Sequence, residues 1–260
     1  MDEYCSHIHD SDRRLKCGMI AAMDEAVANV TDSLQQRGLL NDTFLLFFSD
    51  NGGPVHKAGS NWPLRGSKTT LWEGGTRSPS FIHAPSLLSN SGSVYDQMIH
   101  VVDWFPTFVE AAGEDPANIS NIDGVSQWRN LLSGSAGPRN EFIYNFDEIY
   151  NNSAIRQGRF KLVQGHPGNP DGWFAPEEMG TKATTQDLSK SAHHPEYQLF
   201  NLHQDPLEKK NILDSHQDVF KQMKARLDHY RKSLVPANLP GYTKEAAPSN
   251  FNNVWSPGWC

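Results

Sequence analysis

Along the first forty residues the apolar positions Leu15, Met19, Met23, Val27, Val30 and Leu34 recur in steps of four and three. That spacing draws one stripe on a helix. Asp10 to Asp12 supply N-cap candidates and Gly38 a C-terminal stop, so a helix is predicted over residues 10–38. The continuous run Thr43-Phe44-Leu45-Leu46-Phe47-Phe48 follows. Its length and aromatic content predict a strand buried on both faces, and helix followed by buried strand is α/β logic. The run ends at Ser49-Asp50-Asn51-Gly52-Gly53, and the next strand-like run is Ser80-Phe81-Ile82-His83. A loop of roughly 25 residues inside a compact domain is usually functional or disordered. Short helices are predicted near residues 106–112 and 125–132, stopped by Gly113 and Gly134.

Beyond Ser133-Gly134-Ser135-Ala136-Gly137-Pro138 the texture changes to short strands separated by turn residues. Strands are predicted over 141–146, over 153–163 with Gly158 as a hairpin turn, and over 197–202. A helix follows near 215–232, with Val219, Phe220, Met223, Leu227 and Tyr230 on one side. The boundary near residue 137 divides the chain into a part of a large α/β domain, residues 1–136, and a smaller α+β subdomain, residues 137–260. Residues 165–194, polar and rich in Pro and Gly, form a long connection, ordered or mobile.

Composition narrows the function classes. The chain of 260 residues is 37% hydrophobic and 20% charged, within the globular range. Its 23 basic and 30 acidic side chains are interspersed, with net charge -7, so no basic stripe suits nucleic acid. No apolar run is long enough for a membrane span. The start Met1-Asp2-Glu3-Tyr4 lacks signal-peptide character and, read alone, points to the cytosol. Four Asn-X-Ser/Thr triplets, at Asn29, Asn41, Asn118 and Asn151, point instead to a secretory compartment. Cys5, Cys17 and Cys260 show no metal-type spacing, and an odd count leaves at least one thiol without a partner inside the chain. Both a bond to a missing segment and simple free thiols fit.

The candidate chemistry lies where the first strand ends, the position at which open α/β sheets bind ligands. Asp50 and Asn51 offer hard oxygen donors suited to Ca²⁺ or Mg²⁺, and the glycines after them permit a sharp turn beside an ion. Two donors do not complete the shell of an ion that takes six or more. Asp-Asn-Gly-Gly is equally compatible with an ordinary tight turn. The string downstream shifts the balance toward a site: Asn61-Trp62-Pro63-Leu64-Arg65-Gly66-Ser67-Lys68, then Leu71-Trp72-Glu73-Gly74-Gly75-Thr76-Arg77.

Together these segments resemble the sulfatase family, in particular its arylsulfatase B branch. Similar stretches are Met23 to Val27 with Asn29-Val30-Thr31, Asp103 to Thr107, Ala154 to Leu162, Leu199 to Glu208, and Val254 to Trp259, so the likeness covers nearly the whole chain. It implies an alkaline-phosphatase-like sulfatase fold and hydrolysis of a sulfate ester, with a sulfated glycosaminoglycan sugar as substrate. One Ca²⁺ held in part by Asp50 and Asn51, Lys68 on the sulfate group, and a lysosomal or secreted location are also implied. A sulfuryl group in transfer spreads negative charge over its oxygens, which a fixed ammonium stabilises. A unit pair at 4 Å is worth about 1 kcal/mol in water and about 4 at an effective dielectric of 20, so Lys68 acts only within a cleft. Arg65, Glu73 and Arg77 are expected to bridge loop to loop, His56 and Lys57 to face solvent, and His100 with Asp103 to cap the helix near Pro106. His193 and His194 lack companions at metal-ligand spacing.

Family sulfatases use a Cys-X-Pro-Ser-Arg motif whose cysteine is oxidised to formylglycine. None of the three cysteines here has that context. The chain is therefore expected to be the C-terminal portion of a sulfatase, inactive by itself. It is a partial gene model, a true short product or a fragment, and the first account is favoured because a large α/β domain without its first strands would expose apolar faces and unpaired edges. Two alternatives stay open: a phosphate-ester metallohydrolase of the same fold, and a noncatalytic relative that binds sulfated glycan.

Overall fold

The structure is a computed structural model that describes residues 2–88, 92–179, 193–238 and 241–256. Helix α1 (Asp2–Cys5) is joined by the Cys5–Cys17 disulfide to α2 (Ser11–Gln36), with Cα atoms 6.0 Å apart. These two cysteines therefore pair with each other, which an odd count could not reveal; Cys260 lies outside the described residues, as does part of the Val254 to Trp259 stretch. Asp10 caps α2, its carboxylate accepting from the Arg13 N–H at 2.8 Å, and Gly38 adopts a positive φ of 69° just past its end. The predicted apolar stripe is present, yet no residue of α2 is buried, and Met19 is 61% exposed.

Strands β1 (Leu45–Phe48) and β2 (Ser80–His83) form an antiparallel pair, Phe47 stacking on its cross-strand partner Phe81 at 5.2 Å. The expectation of burial on both faces fails: β1 is half-buried and Phe48 is 43% exposed, because only β2 pairs with it among the described residues. Helices α3 (Glu73–Thr76), α4 (Trp104–Ala111) and α5 (Trp128–Ser133) follow. Phe44 packs edge-on against Phe108 of α4 and Trp128 of α5. Gly134, at φ 68°, ends α5 in the left-handed conformation that costs glycine least.

The second half is an antiparallel meander, β3 (Glu141–Asp147), β4 (Asn152–Gln157), β5 (Phe160–Gln164) and β6 (Tyr197–Asn201), in that spatial order. Gly158, at φ 53°, lies in the turn between β4 and β5. Helix α6 (Gln217–Arg231) covers one face with Met223 and Leu227 against Ile155, Leu162 and Leu199. The other face carries Ala154, Val163 and Phe200 and packs against Leu71 and Trp72 of the long loop. Alternation along β4, β5 and β6 thus serves two cores. One polar connection between the halves is Asp103, buried at the start of α4, which accepts from Arg139 Nε at 2.7 Å. Asp103 also accepts the His100 N–H at 2.9 Å, closing a capping box on the 3-10 turn Val101–Asp103 that leads into α4; the expected cap thus falls on that turn, and the first turn of α4 itself receives no side-chain cap.

Leu162 is fully buried beneath α6. Leu162→Ala is expected to destabilise the chain by about 2–5 kcal/mol, read as a lower urea midpoint at unchanged slope.

Candidate functional site

The turn after β1 is built by backbone meeting backbone. The Ser49 hydroxyl donates to the Asn51 carbonyl at 2.9 Å, and Asn51 Nδ2 donates to the Gly52 carbonyl at 2.9 Å. Gly52 N–H donates to the Gly75 carbonyl at 3.0 Å. A Cβ on Gly52 would fall 1.7 Å from the Gly74 oxygen, and one on Gly74 2.4 Å from the Arg65 oxygen, so these glycines are required by contact. Asn61 is the strut between turns: its Oδ1 accepts the Gly53 N–H at 2.6 Å while its Nδ2 donates to the carbonyls of Gly53 at 2.8 Å and Gly66 at 3.2 Å. Around the same Gly53 carbonyl gather the Ser67 hydroxyl at 3.3 Å and the Lys68 N–H at 3.5 Å.

Lys68 is thereby brought to a residue two positions past Asn51, although the two lie far apart in sequence. Asp50 and Lys68 are exposed and Asn51 is half-buried. With Asn51 Nδ2 engaged by Gly52, its amide oxygen is the atom left to meet a cation. The donor set, one carboxylate and one amide oxygen, fits part of a calcium shell. Among the described residues no three His, Cys, Asp or Glu side chains cluster as a metal site, so the remaining donors are not supplied by these carboxylates and imidazoles.

The loop rests on a buried charge cluster that sequence reading did not find. Lys161 Nζ lies 3.0 Å from Glu73 Oε1 and 2.7 Å from Glu208 Oε1, with all three side chains almost wholly excluded from solvent. Tyr144 OH donates to Glu73 Oε1 at 2.7 Å, and Glu73 N–H donates to Glu208 Oε2 at 2.7 Å. Burial works to raise the Glu73 pKa, but the Lys161 charge and the hydrogen bonds from Tyr144 and Lys161 outweigh it and hold the group below its ordinary value. For Glu208 burial prevails, aided by the negative charge of Glu73, and its pKa rises to about 7. Lys161 sits between Phe160 and Leu162 on a strand, and nothing in that pattern announces a carboxylate opposite it.

Arg65 is the second support. Its guanidinium pairs with both oxygens of Asp171, at 2.7 and 3.0 Å, donates to the Glu208 carbonyl at 2.9 Å, and stacks 3.6 Å above Trp72. Arg65 and Glu73 therefore bridge loops as expected, whereas Arg77 is exposed and only its backbone N–H reaches Glu73. His56 and Lys57 face solvent. His194 pairs with Asp171 at 3.0 Å, and burial lowers its pKa despite that carboxylate. The first part of the connection after β5 is laid on the loop, since Gly66 N–H donates to the Gly172 carbonyl at 2.8 Å and Leu71 N–H to the Pro167 carbonyl at 2.7 Å, while residues 180–192 of that connection lie outside the described residues.

Comparison with known proteins adds a family likeness. Residues 2–114 match the family model described as Sulfatase. The chain is 32% identical over 276 aligned positions to arylsulfatase J of Mus musculus, covering 98% of this chain and 46% of the relative. It is 27% identical over 260 positions to N-acetylgalactosamine-6-sulfatase of Mus musculus, covering 93% and 47%. The chain thus spans about half the length of these curated relatives. The crystal structure of Ps i-CgsB in complex with k-i-k-neocarrahexaose superposes with a TM-score of 0.69 at 24% identity, covering 88% of this chain and 46% of that one. This likeness shows the fold: part of the α/β, alkaline-phosphatase-like architecture of sulfatases.

Two outcomes test the site's construction. Gly52→Ala is expected to force the Gly52 and Gly74 turns apart and to cost about 1–3 kcal/mol or more in urea unfolding, as overpacking does. Glu208, at about 7 when folded against an ordinary 4.5, holds a proton that the unfolded chain releases. Its stabilising contribution is full below about 4.5 and is lost as pH rises through about 7. Stability from this group should fall by on the order of 1–3 kcal/mol between pH 5 and 8. Glu73, with its lowered pKa, acts only at more acidic pH. Thermal unfolding across that window should show the decline, and Glu208→Gln should remove it.

Proposed function

We propose, from the match of residues 2–114 to the Sulfatase family model, that this chain is the C-terminal half of a calcium-dependent, arylsulfatase-type sulfuric ester hydrolase acting on sulfated glycan. The observation that carries the reading is the Gly53 carbonyl, which ties the Lys68 backbone to the turn holding Asp50 and Asn51. We assign residues 1–136 to the catalytic α/β domain and 137–260 to a smaller α+β subdomain. The exposed stripe of α2 and the open side of β1 are the surfaces that a preceding half would cover, and that cover would place Lys68 in the low-dielectric cleft its role demands.

In the assembled site Asp50 and Asn51 give two oxygen ligands to one Ca²⁺, which supplies Lewis-acid neutralisation of the sulfate oxygens when bound. Lys68 adds a fixed positive charge where the sulfuryl group gains negative charge in transfer. The nucleophile, a formylglycine, and the acid that protonates the leaving alcohol belong to the preceding segment. The loop string supports placement in the arylsulfatase B branch. A relative named for an N-acetylgalactosamine sulfate and a structural neighbour bound to a carrageenan oligosaccharide support a sulfated sugar, a glycosaminoglycan unit by this reading. The Cys5–Cys17 disulfide and four glycosylation triplets support a lysosomal or secreted location. No helix among the described residues is long and apolar enough to cross a membrane.

The test uses the complete polypeptide with its upstream half. Lys68→Ala is expected to lower kcat/KM for a sulfate ester by on the order of a hundredfold or more. Asp50→Asn should raise the Ca²⁺ concentration needed for half-maximal sulfate release. Turnover of a phosphate ester but no sulfate ester would refute the reading, and so would glycan binding without turnover, which would make this chain a noncatalytic relative.

A further inference from the structure

Glu208 lies outside the strand-end loop in sequence, takes no part in the chemistry proposed above, and belongs to the segment after β6. Its backbone is nevertheless held at φ 55°, a left-handed conformation that a glutamate rarely adopts. Such a residue persists where its surroundings over-determine it, and strain of this kind concentrates at functional sites. Three separate groups hold Glu208. Its Oε2 accepts the Glu73 N–H at 2.7 Å, its Oε1 meets Lys161 Nζ at 2.7 Å, and its own carbonyl accepts from Arg65 Nη1 at 2.9 Å. The two loop residues so gripped, Arg65 and Glu73, flank the string that carries Lys68.

From Glu73 to the metal-side turn the path is short and consists of backbone. Gly74 N–H donates to the Arg65 carbonyl at 2.7 Å, and the Gly75 carbonyl receives Gly52 N–H at 3.0 Å. No side chain intervenes to absorb a shift, since Gly52 and Gly74 are in direct backbone contact. Displacing Glu73 therefore moves Gly75 and with it the residue next to Asn51. Lys161 is the fixed point, anchored within β5, fully buried, and 4.4 Å over the ring of Tyr144. Arg156, 3.9 Å from Glu73 on the neighbouring strand, adds a further positive charge.

We propose that Glu208 and Lys161 are positioning residues of the Asp50–Asn51–Lys68 site, acting through the Glu73–Gly75 backbone to set the turn that follows β1. The proposal rests on the sulfatase reading only in calling that turn a site; the mechanical coupling stands or falls independently.

Two experiments decide it. Backbone amide exchange on the 260-residue chain would compare the native protein with Glu208→Ala, Glu208→Gln and, as a control, Glu141→Gln, whose parent side chain pairs with Arg226 and Tyr230 instead. Glu208→Ala should speed exchange at the amides of Gly52, Gly74 and Gly75 by about tenfold or more while leaving Ile155 and Leu162 of the sheet protected. Glu208→Gln, which keeps an acceptor for the Glu73 N–H, should recover most of that protection, and Glu141→Gln should leave these glycine amides unchanged. Unaltered exchange at Gly52, or acceleration spread evenly through β4 and β5, would overturn the proposal. In the complete polypeptide, Glu208→Ala should lower kcat for a sulfate ester several-fold more than it raises KM, with Glu208→Gln closer to native. A change confined to KM would also overturn it. Should sulfate esters not be turned over at all, the exchange result still separates this coupling from the functional reading.

Discussion

A lysine ammonium with no access to water is the constraint around which the rest of this chain is arranged. Lys161 sits between the carboxylates of Glu73 and Glu208, one from the long loop and one from the segment after β6. Removing a charge from water costs several kcal/mol, and only close, well-oriented partners compensate it. The cluster therefore ties three separated stretches to one point, and Tyr144 closes it with a hydrogen bond to Glu73. The cluster is also asymmetric. Glu73 accepts bonds from Tyr144 and Lys161 and stays ionised, whereas burial beside that first negative charge leaves Glu208 with a pKa near neutrality.

From this anchor the loop reaches outward by backbone contact. Neighbouring backbone packs against Gly52, Gly74 and Gly75 closely enough to exclude a side chain at each, and Asn61 bridges Gly53 to Gly66 with a single amide group. Rigid geometry of this kind suits a site whose ligand groups must converge from different parts of the chain. Arg65 adds a second attachment through Asp171 and the Glu208 carbonyl. The four-stranded sheet with α6 is consequently more than an appendage, since its residues hold the loop in place.

Much of this was legible as pattern. The four-and-three spacing from Leu15 to Leu34 marked α2, Gly134 and Gly158 marked a helix end and a hairpin, and the turn after β1 was marked by its glycines. Resemblance supplied Asp50 and Asn51 as proposed metal ligands and Lys68 as the proposed sulfate contact, and the fold brings the backbone of the last within reach of the turn that carries the first two. Burial was misjudged for β1, because a run of apolar residues reports what a strand can bury and says nothing about whether a covering layer is present in the same chain.

By itself the sequence determined the periodic elements and their ends, since these depend on neighbours within a few positions, and its resemblance offered Asp50, Asn51 and Lys68 as the proposed site residues. Tertiary structure alone decided the pairing of Cys5 with Cys17, the meeting of Lys161 with Glu73 and Glu208, and the grip of Arg65 on Asp171. The physical reason is range. Capping, turns and helical periodicity are local backbone effects, whereas an ion pair between residues 88 positions apart exists only after the chain has brought distant strands and loops together and excluded water from between them.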